Sequence, residues 1–197
     1  MGVEYELKFC ADEKTLDKIQ GDTAGEVCRY HMQTTYYDTP QGALSARKYT
    51  LRRRMENQHS ICTLKYPLQG DGRGEIELEC PEIRDAIPEL CKLSGLEDLA
   101  QLVADGVVPV CGADFRRTAI TFSWNGAVLE LALDRGILTG GDLQIPLYEV
   151  EVELKEGELE VLYAYAKLLK TAYDLTQEKR SKFRRALDLS QRSKENV

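Results

Sequence analysis

A chain of 197 residues, 43% hydrophobic and 30% charged, can bury the core of one globular domain, with or without a helical appendage, and speaks against two unrelated domains. Its formal net charge of -7 argues against a nucleic-acid partner, because backbone binding needs a basic patch, yet leaves room for a small polyanion held by local Arg clusters. The N-terminus lacks a basic stretch leading into an apolar core and no run approaches a membrane span, so a cytoplasmic location and no membrane partner are expected.

Val3 to Phe9 reads as a strand with Val3, Tyr5, Leu7 and Phe9 on one face. Glu4, Glu6 and Lys8 form a row on the other, spaced roughly 7 Å apart. Asp12 to Gln20 reads as a short helix capped by Asp12, with Leu16 and Ile19 on its apolar face. Met32 to Asp38, rich in Thr and Tyr, reads as a strand running into the turn Thr39-Pro40-Gln41-Gly42. Tyr49 to Glu56 and Ser60 to Tyr66 form a hairpin about Asn57-Gln58-His59. Gln69 to Gly74 reads as a loop, and Glu75 to Cys80 begins another strand.

From Ile83 to Gly106 the period becomes helical, with a break at Gly95, which predicts a helical insertion. Phe115 to Trp124 and Val128 to Asp134 are strands joined by Asn125-Gly126, a pair suited to a two-residue turn because both positions tolerate positive φ. Leu147 to Lys155 is a further strand. Glu158 to Tyr173 is an amphipathic helix, and Thr176 to Leu187 reads as a second, very basic one. The six cysteines show no Cys-x-x-Cys pair and are expected as buried thiols. The two histidines, His31 and His59, stand at no metal-ligand spacing from a cysteine.

Sorting each strand by face shows rows of like charge. Glu75, Glu77 and Glu79 stand opposite Ile76 and Leu78; Glu130 and Asp134 stand opposite Leu129, Leu131 and Leu133; Glu149, Glu151, Glu153 and Lys155 stand opposite Tyr148, Val150, Val152 and Leu154. Arg52, Arg54, Lys65 and Arg117 occupy the other strands. Adjacent carboxylates on a flat wet sheet repel one another without compensation. The pattern becomes sensible if the sheet curls so that its polar face is interior, with carboxylates on one wall for a divalent cation and Arg and Lys on the other for phosphate.

With these rows in view, the chain resembles the CYTH superfamily, the triphosphate tunnel metalloenzymes. The resemblance is carried by Glu4-x-Glu6-x-Lys8, Tyr36-Tyr37-Asp38-Thr39-Pro40, Leu51-Arg52-Arg53-Arg54, Thr63-Leu64-Lys65, Glu75 to Glu79, Arg117, Leu133-Asp134-Arg135-Gly136, the Glu149, Glu151 and Glu153 strand, and Ser181-Lys182-Phe183. It implies an α+β fold, an eight-stranded antiparallel β-barrel with a charged interior flanked by helices, over 1–197. The insertion falls at about 83–106 and C-terminal helices at about 158–187. It implies that Glu4, Glu6, Glu151 and Glu153 hold Mg²⁺ or Mn²⁺ and that Lys8, Arg52, Arg54, Lys65, Arg117 and Lys182 bind phosphate. Glu75, Glu77, Glu130, Asp134 and Glu149 would orient those groups or hold a second metal. The catalytic set is then Glu4, Glu6, Lys8, Lys65, Glu151 and Glu153, acting on a triphosphate-bearing small molecule, with a homodimer left open. Inorganic tripolyphosphate is the substrate the insertion favours. Thiamine or nucleoside triphosphates, an adenylate cyclase of class IV type and a non-catalytic polyphosphate-binding module are the alternatives. No His-Phe pair precedes the Glu box, which disfavours the cyclase, and Trp124 beside its turn is expected in solvent rather than as an aromatic platform.

Overall fold

The computed structural model describes residues 2–69 and 72–195. The N-terminal strand runs as two segments, β1 (Gly2–Glu4) and β2 (Glu6–Cys10), interrupted at Tyr5. Helix α1 (Glu13–Asp22) follows, with Asp12 Oδ1 accepting the Thr15 N–H at 2.7 Å as its cap. Then come β3 (Glu26–Asp38), the short α2 (Ala43–Ala46), β4 (Thr50–Glu56), β5 (His59–Pro67) and β6 (Arg73–Glu79). The insertion forms α3 (Ile83–Ser94) and α4 (Leu99–Leu102), separated as expected at Gly95, whose φ of 63° ends the first helix. The long strands β7 (Val108–Trp124), β8 (Ala127–Gly140) and β9 (Leu143–Glu156) lead into α5 (Leu159–Ala172), β10 (Thr176–Gln177) and α6 (Lys182–Glu195).

Among the described residues the strands form one antiparallel sheet in the order β1-β6-β5-β4-β3-β7-β8-β9-β2-β10. The ladder is therefore open and ten-stranded rather than a closed eight-stranded cylinder. Its flanks are joined by the chain itself. β1 pairs with β6 and β2 with β9, while the Tyr5 carbonyl between them accepts the Leu154 N–H at 3.0 Å, so one kinked N-terminal strand spans both flanks. With β1 and β2 counted together and the two-residue β10 set aside, eight long strands enclose the interior.

The apolar faces point outward under helices. Leu129, Leu131, Leu133, Val150 and Val152 pack beneath α1 and α5, and Leu51, Cys62, Leu64 and Ile76 beneath α3 and α4. Each fully buried side chain of this kind contributes about 1.5–3 kcal/mol. A third cluster, with Met32, Tyr36, Phe115 and Leu138, meets Phe183, Ala186 and Leu189 of α6. Gly140 lies so close to the α6 backbone at Ala186 and Ser190 that a Cβ there would collide with it. No helix among the described residues is long and apolar enough to cross a membrane.

Several expectations change. The basic helix foreseen from Thr176 begins only at Lys182, because Thr176 and Gln177 pair with Cys10 and Phe9 of β2. β7 starts at Val108, well before Phe115; Pro109 and Gly112 discourage a strand locally, but Pro109 pairs with Tyr37 beside a register shift that leaves Val110 without a partner in the β3 register. β6 starts at Arg73, inside the stretch read as loop, of which Gly70 and Asp71 lie outside the described residues. Trp124 is half-buried with its ring 5.3 Å from that of Tyr165, and of the cysteines only Cys62 is fully buried.

Candidate active site

Alternation along the strands sends the like-charged rows inward. They line a cavity of about 840 Å³ running through the sheet. Twelve Lys or Arg residues and eight Glu residues line it, and four carboxylates just outside the lining, Asp134, Glu149, Glu178 and Asp188, pair with Arg117, Lys182, Arg180 and Arg184 of that set. All ten residues expected to bind metal or phosphate lie on its wall, as do Glu75, Glu77 and Glu130. Asp134 and Glu149 sit behind it, fully buried.

On the β4, β5 and β6 wall, Arg52 lies 3.5 Å from both Glu75 and Glu77. Arg54 pairs with Glu56 and lies 3.7 Å from Glu77. Lys65 donates to Glu4 Oε1 and Oε2 at 2.6 and 2.5 Å and reaches Glu75 at 3.2 Å. The Nε atoms of Arg52 and Arg54 are buried without a hydrogen-bond partner. A buried donor left unmade costs about 1–3 kcal/mol, so each of these guanidiniums is held by the ion pairs of its Nη2 atom instead.

Arg73, missed because its Gly-flanked neighbourhood reads as loop, is a further cavity cation, with Glu4, Glu6 and Glu75 nearby. Its Nη2 donates to the Lys48 carbonyl at 3.0 Å and to Thr50 Oγ1 at 3.5 Å. Lys48 presents that carbonyl from a left-handed backbone, φ 61°. The alternation Arg73, Glu75, Glu77 was the signal that could have revealed it.

On the opposite wall β2, β9 and β8 set Glu6 opposite Glu153, Lys8 opposite Glu151 and Glu130 opposite Glu153. Lys8 donates to Glu6 at 2.6 Å; burial would lower its pKa, but Glu6 and Glu151 outweigh that and raise it. Glu153 is met by Lys155 at 2.9 Å; burial, with Glu4 and Glu130 nearby, pushes its carboxyl above the usual range. Deeper in, Arg117 grips Asp134 with two bonds of 2.7 Å and also donates to Glu151. Lys182, at the first position of α6, reaches Asp134 and Glu151 at 2.8 Å each and Glu149. Burial alone would raise Glu151, yet Lys182, Arg117 and Lys8 hold it well below the ordinary carboxylate range. The same carboxylates hold Lys182 well above the ordinary lysine range despite its burial.

Among the described residues Asp134, Glu149 and Glu151 form the group of carboxylates whose oxygens lie within 4.8 Å of one another. Arg117, Lys182 and Arg185 already neutralise them, three cations to three anions, so this cluster does not fit a divalent ion. Glu4, Glu6, Glu130 and Glu153 fit one better. They share a wall where Glu153 is crowded by carboxylates, and their cation partners are Lys65, Lys8 and Lys155.

Other conspicuous residues have structural work. Asp38 is buried and accepts the N–H groups of Thr39, Leu44 and Ser45, fixing the turn and the start of α2. Tyr36 packs on Phe183 with ring centroids 5.2 Å apart. Arg53 points outward to Ser60 Oγ, and Glu79 bonds His59 at an exposed strand end.

The fold is a curled antiparallel sheet around a cavity lined by both Arg/Lys and Glu residues. A model of the CYTH domain matches residues 2–187, and the chain belongs to the CYTH family. It is 31% identical over 153 residues to an inorganic triphosphatase of Haemophilus influenzae, a match covering 77% of this chain and 44% of that protein, so the chain corresponds to less than half the relative's length. Among solved structures it is similar to a Hippeastrum adenylyl cyclase-like protein with a dominant triphosphatase activity, at 17% identity and a TM-score of 0.62 over 94% of this chain and 95% of that one. It is also similar to the PH1819 protein of Pyrococcus horikoshii, at 22% identity and a TM-score of 0.59 over 94% and 98%. These likenesses show the fold.

Proposed function

We propose that the chain hydrolyses triphosphates with the help of Mg²⁺ or Mn²⁺, inorganic tripolyphosphate first among them. The observation that carries this reading is one cavity whose lining brings Arg52, Arg54, Lys65 and Arg73 together with the carboxylates Glu4, Glu6, Glu130 and Glu153, the two kinds of group a metal-bound polyphosphate needs. The Haemophilus relative named as an inorganic triphosphatase supports the same choice.

Arg52, Arg54, Lys65 and Arg73 would bind the phosphate chain along one wall, with Lys8, Arg117 and Lys182 closing on it from the other. Glu75 and Glu77 hold Arg52 in place from behind. Glu4, Glu6 and Glu153 would hold the divalent ion, with Glu130 as its neighbour; Glu151, saturated by Arg117 and Lys182, serves to orient those cations. The ion would supply charge neutralisation at phosphate oxygens. The Arg and Lys groups do the same from fixed positions, which stabilises charge developing on the leaving phosphate without reorganisation during reaction.

The test is release of phosphate and pyrophosphate from tripolyphosphate, thiamine triphosphate and ATP, with Mg²⁺ or Mn²⁺ and with chelator. Metal-dependent phosphate release, fastest on tripolyphosphate, is expected. Metal-dependent binding without turnover on any of the three would make the chain a binding module, and pyrophosphate with cyclic AMP from ATP would make it a cyclase.

A further inference from the structure

Arg185 does not line the cavity, yet it completes the innermost ion cluster. It lies one helical turn after Lys182 on α6, and the two side chains divide one carboxylate: Lys182 Nζ takes Glu149 Oε1 and Arg185 Nη2 takes Glu149 Oε2. Glu149 is fully buried, and the Arg185 side chain is 10% exposed. Arg185 Nε is buried without a partner, so the guanidinium is retained there for its contact with Glu149. Without Arg185 the cluster would hold the carboxylates Asp134, Glu149 and Glu151 against only Arg117 and Lys182. Glu149 would then draw on Lys182 with both oxygens and lower the positive potential that Lys182 presents to the cavity.

We propose that Arg185 is a positioning residue of the phosphate site, acting through Glu149 to leave the charge of Lys182 available to the ligand. The inference rests on the triphosphate reading of the cavity. It requires opposite effects from the two sides of one ion pair, because removing Arg185 makes the cluster more negative and removing the charge of Glu149 makes it more positive.

The experiment measures KM and kcat for tripolyphosphate, and its direct binding by calorimetry, in the full chain and in Arg185→Met, Glu149→Gln and the double variant, with thermal midpoints alongside. Arg185→Met is expected to raise KM and the dissociation constant about 10-fold or more, the scale of a lost charge-assisted interaction. Glu149→Gln is expected to lower both, and the double variant to return to within about threefold of the parent, since it restores the charge balance. Unchanged KM in Arg185→Met, a shift in the same direction in both single variants, or a double variant as impaired as Arg185→Met would each overturn the assignment. If Arg185→Met does not fold, the direction of the Glu149→Gln shift still decides it. A parent chain that binds no tripolyphosphate would refute the triphosphate reading itself, whereas normal binding with insensitive variants would refute only the role of Arg185.

Discussion

Each charged residue in the cavity is a compromise between burial, which disfavours its charge, and neighbours that restore it. Glu153 falls on the unfavourable side of that balance. Its carboxyl is raised by burial and by the nearby Glu4 and Glu130, so its ionised form costs folding free energy. The folded state therefore binds this proton more tightly than the unfolded chain, and stability from this group falls as pH rises above its ordinary value of 4.5. A divalent ion on that wall should reverse the loss. The expected outcome is a Mg²⁺- or Mn²⁺-dependent rise in thermal midpoint that is larger at pH 8 than at pH 5, read by scanning fluorimetry. Glu153→Gln should raise the midpoint in metal-free buffer at neutral pH and abolish metal-dependent turnover; full activity in that variant would remove Glu153 from the metal set. Arg52→Ala should raise KM for tripolyphosphate at least as much as it lowers kcat, as expected of a group that binds ground and transition states alike.

At the scale of elements, α6 is docked by charge as well as by apolar contact. Phe183, Ala186 and Leu189 bury its apolar face, while Lys182 enters the cluster of Asp134, Glu149 and Glu151. Removing one partner from a buried ion cluster leaves an uncompensated charge and costs about 3–5 kcal/mol. Lys182→Met should lower urea stability by about that amount, and a loss below about 1 kcal/mol would show the cluster to be open to water. The loop between α2 and β4 carries a smaller strain. Lys48 holds a left-handed backbone at φ 61°, which costs a non-glycine residue about 1–2 kcal/mol, and its carbonyl anchors Arg73. Lys48→Gly should keep the Arg73 contact and relieve the strain. Lys48→Val, β-branched and unsuited to positive φ, should destabilise and raise KM together.

For the whole molecule, a cavity lined by Arg52, Arg54, Lys65 and Arg73 in an acidic chain would make the binding of a polyanion a stability term. A polyanion that binds only the folded state should stabilise it by about 2.7 kcal/mol at 100 times its dissociation constant. Tripolyphosphate should raise the thermal midpoint, with the gain falling as salt concentration rises through screening of the charges. No shift at millimolar tripolyphosphate would count against the cavity as a polyanion site.

Strand polarity was open to view in the linear chain: Glu4-x-Glu6-x-Lys8, Arg52-x-Arg54 and Glu149-x-Glu151-x-Glu153 declare a charged face because side chains alternate along a strand. The Asn125-Gly126 turn and the helix break at Gly95 were equally legible, since both depend on local backbone freedom, and both occur with positive φ. What depends on distant partners was hidden. Pro109 and Gly112 are poor strand formers that sheet neighbours nevertheless hold in β7, and Thr176 and Gln177 extend only because β2 lies alongside. The same limit applies to the site. Sequence determined which residues face the interior, but only the tertiary structure decided which carboxylates have spare charge. Glu151 and Glu153 are equivalent in the linear pattern; one is saturated by Arg117 and Lys182 from two other elements, the other crowded by Glu4 and Glu130, because the long-range register chooses the neighbours and the neighbours set the charge.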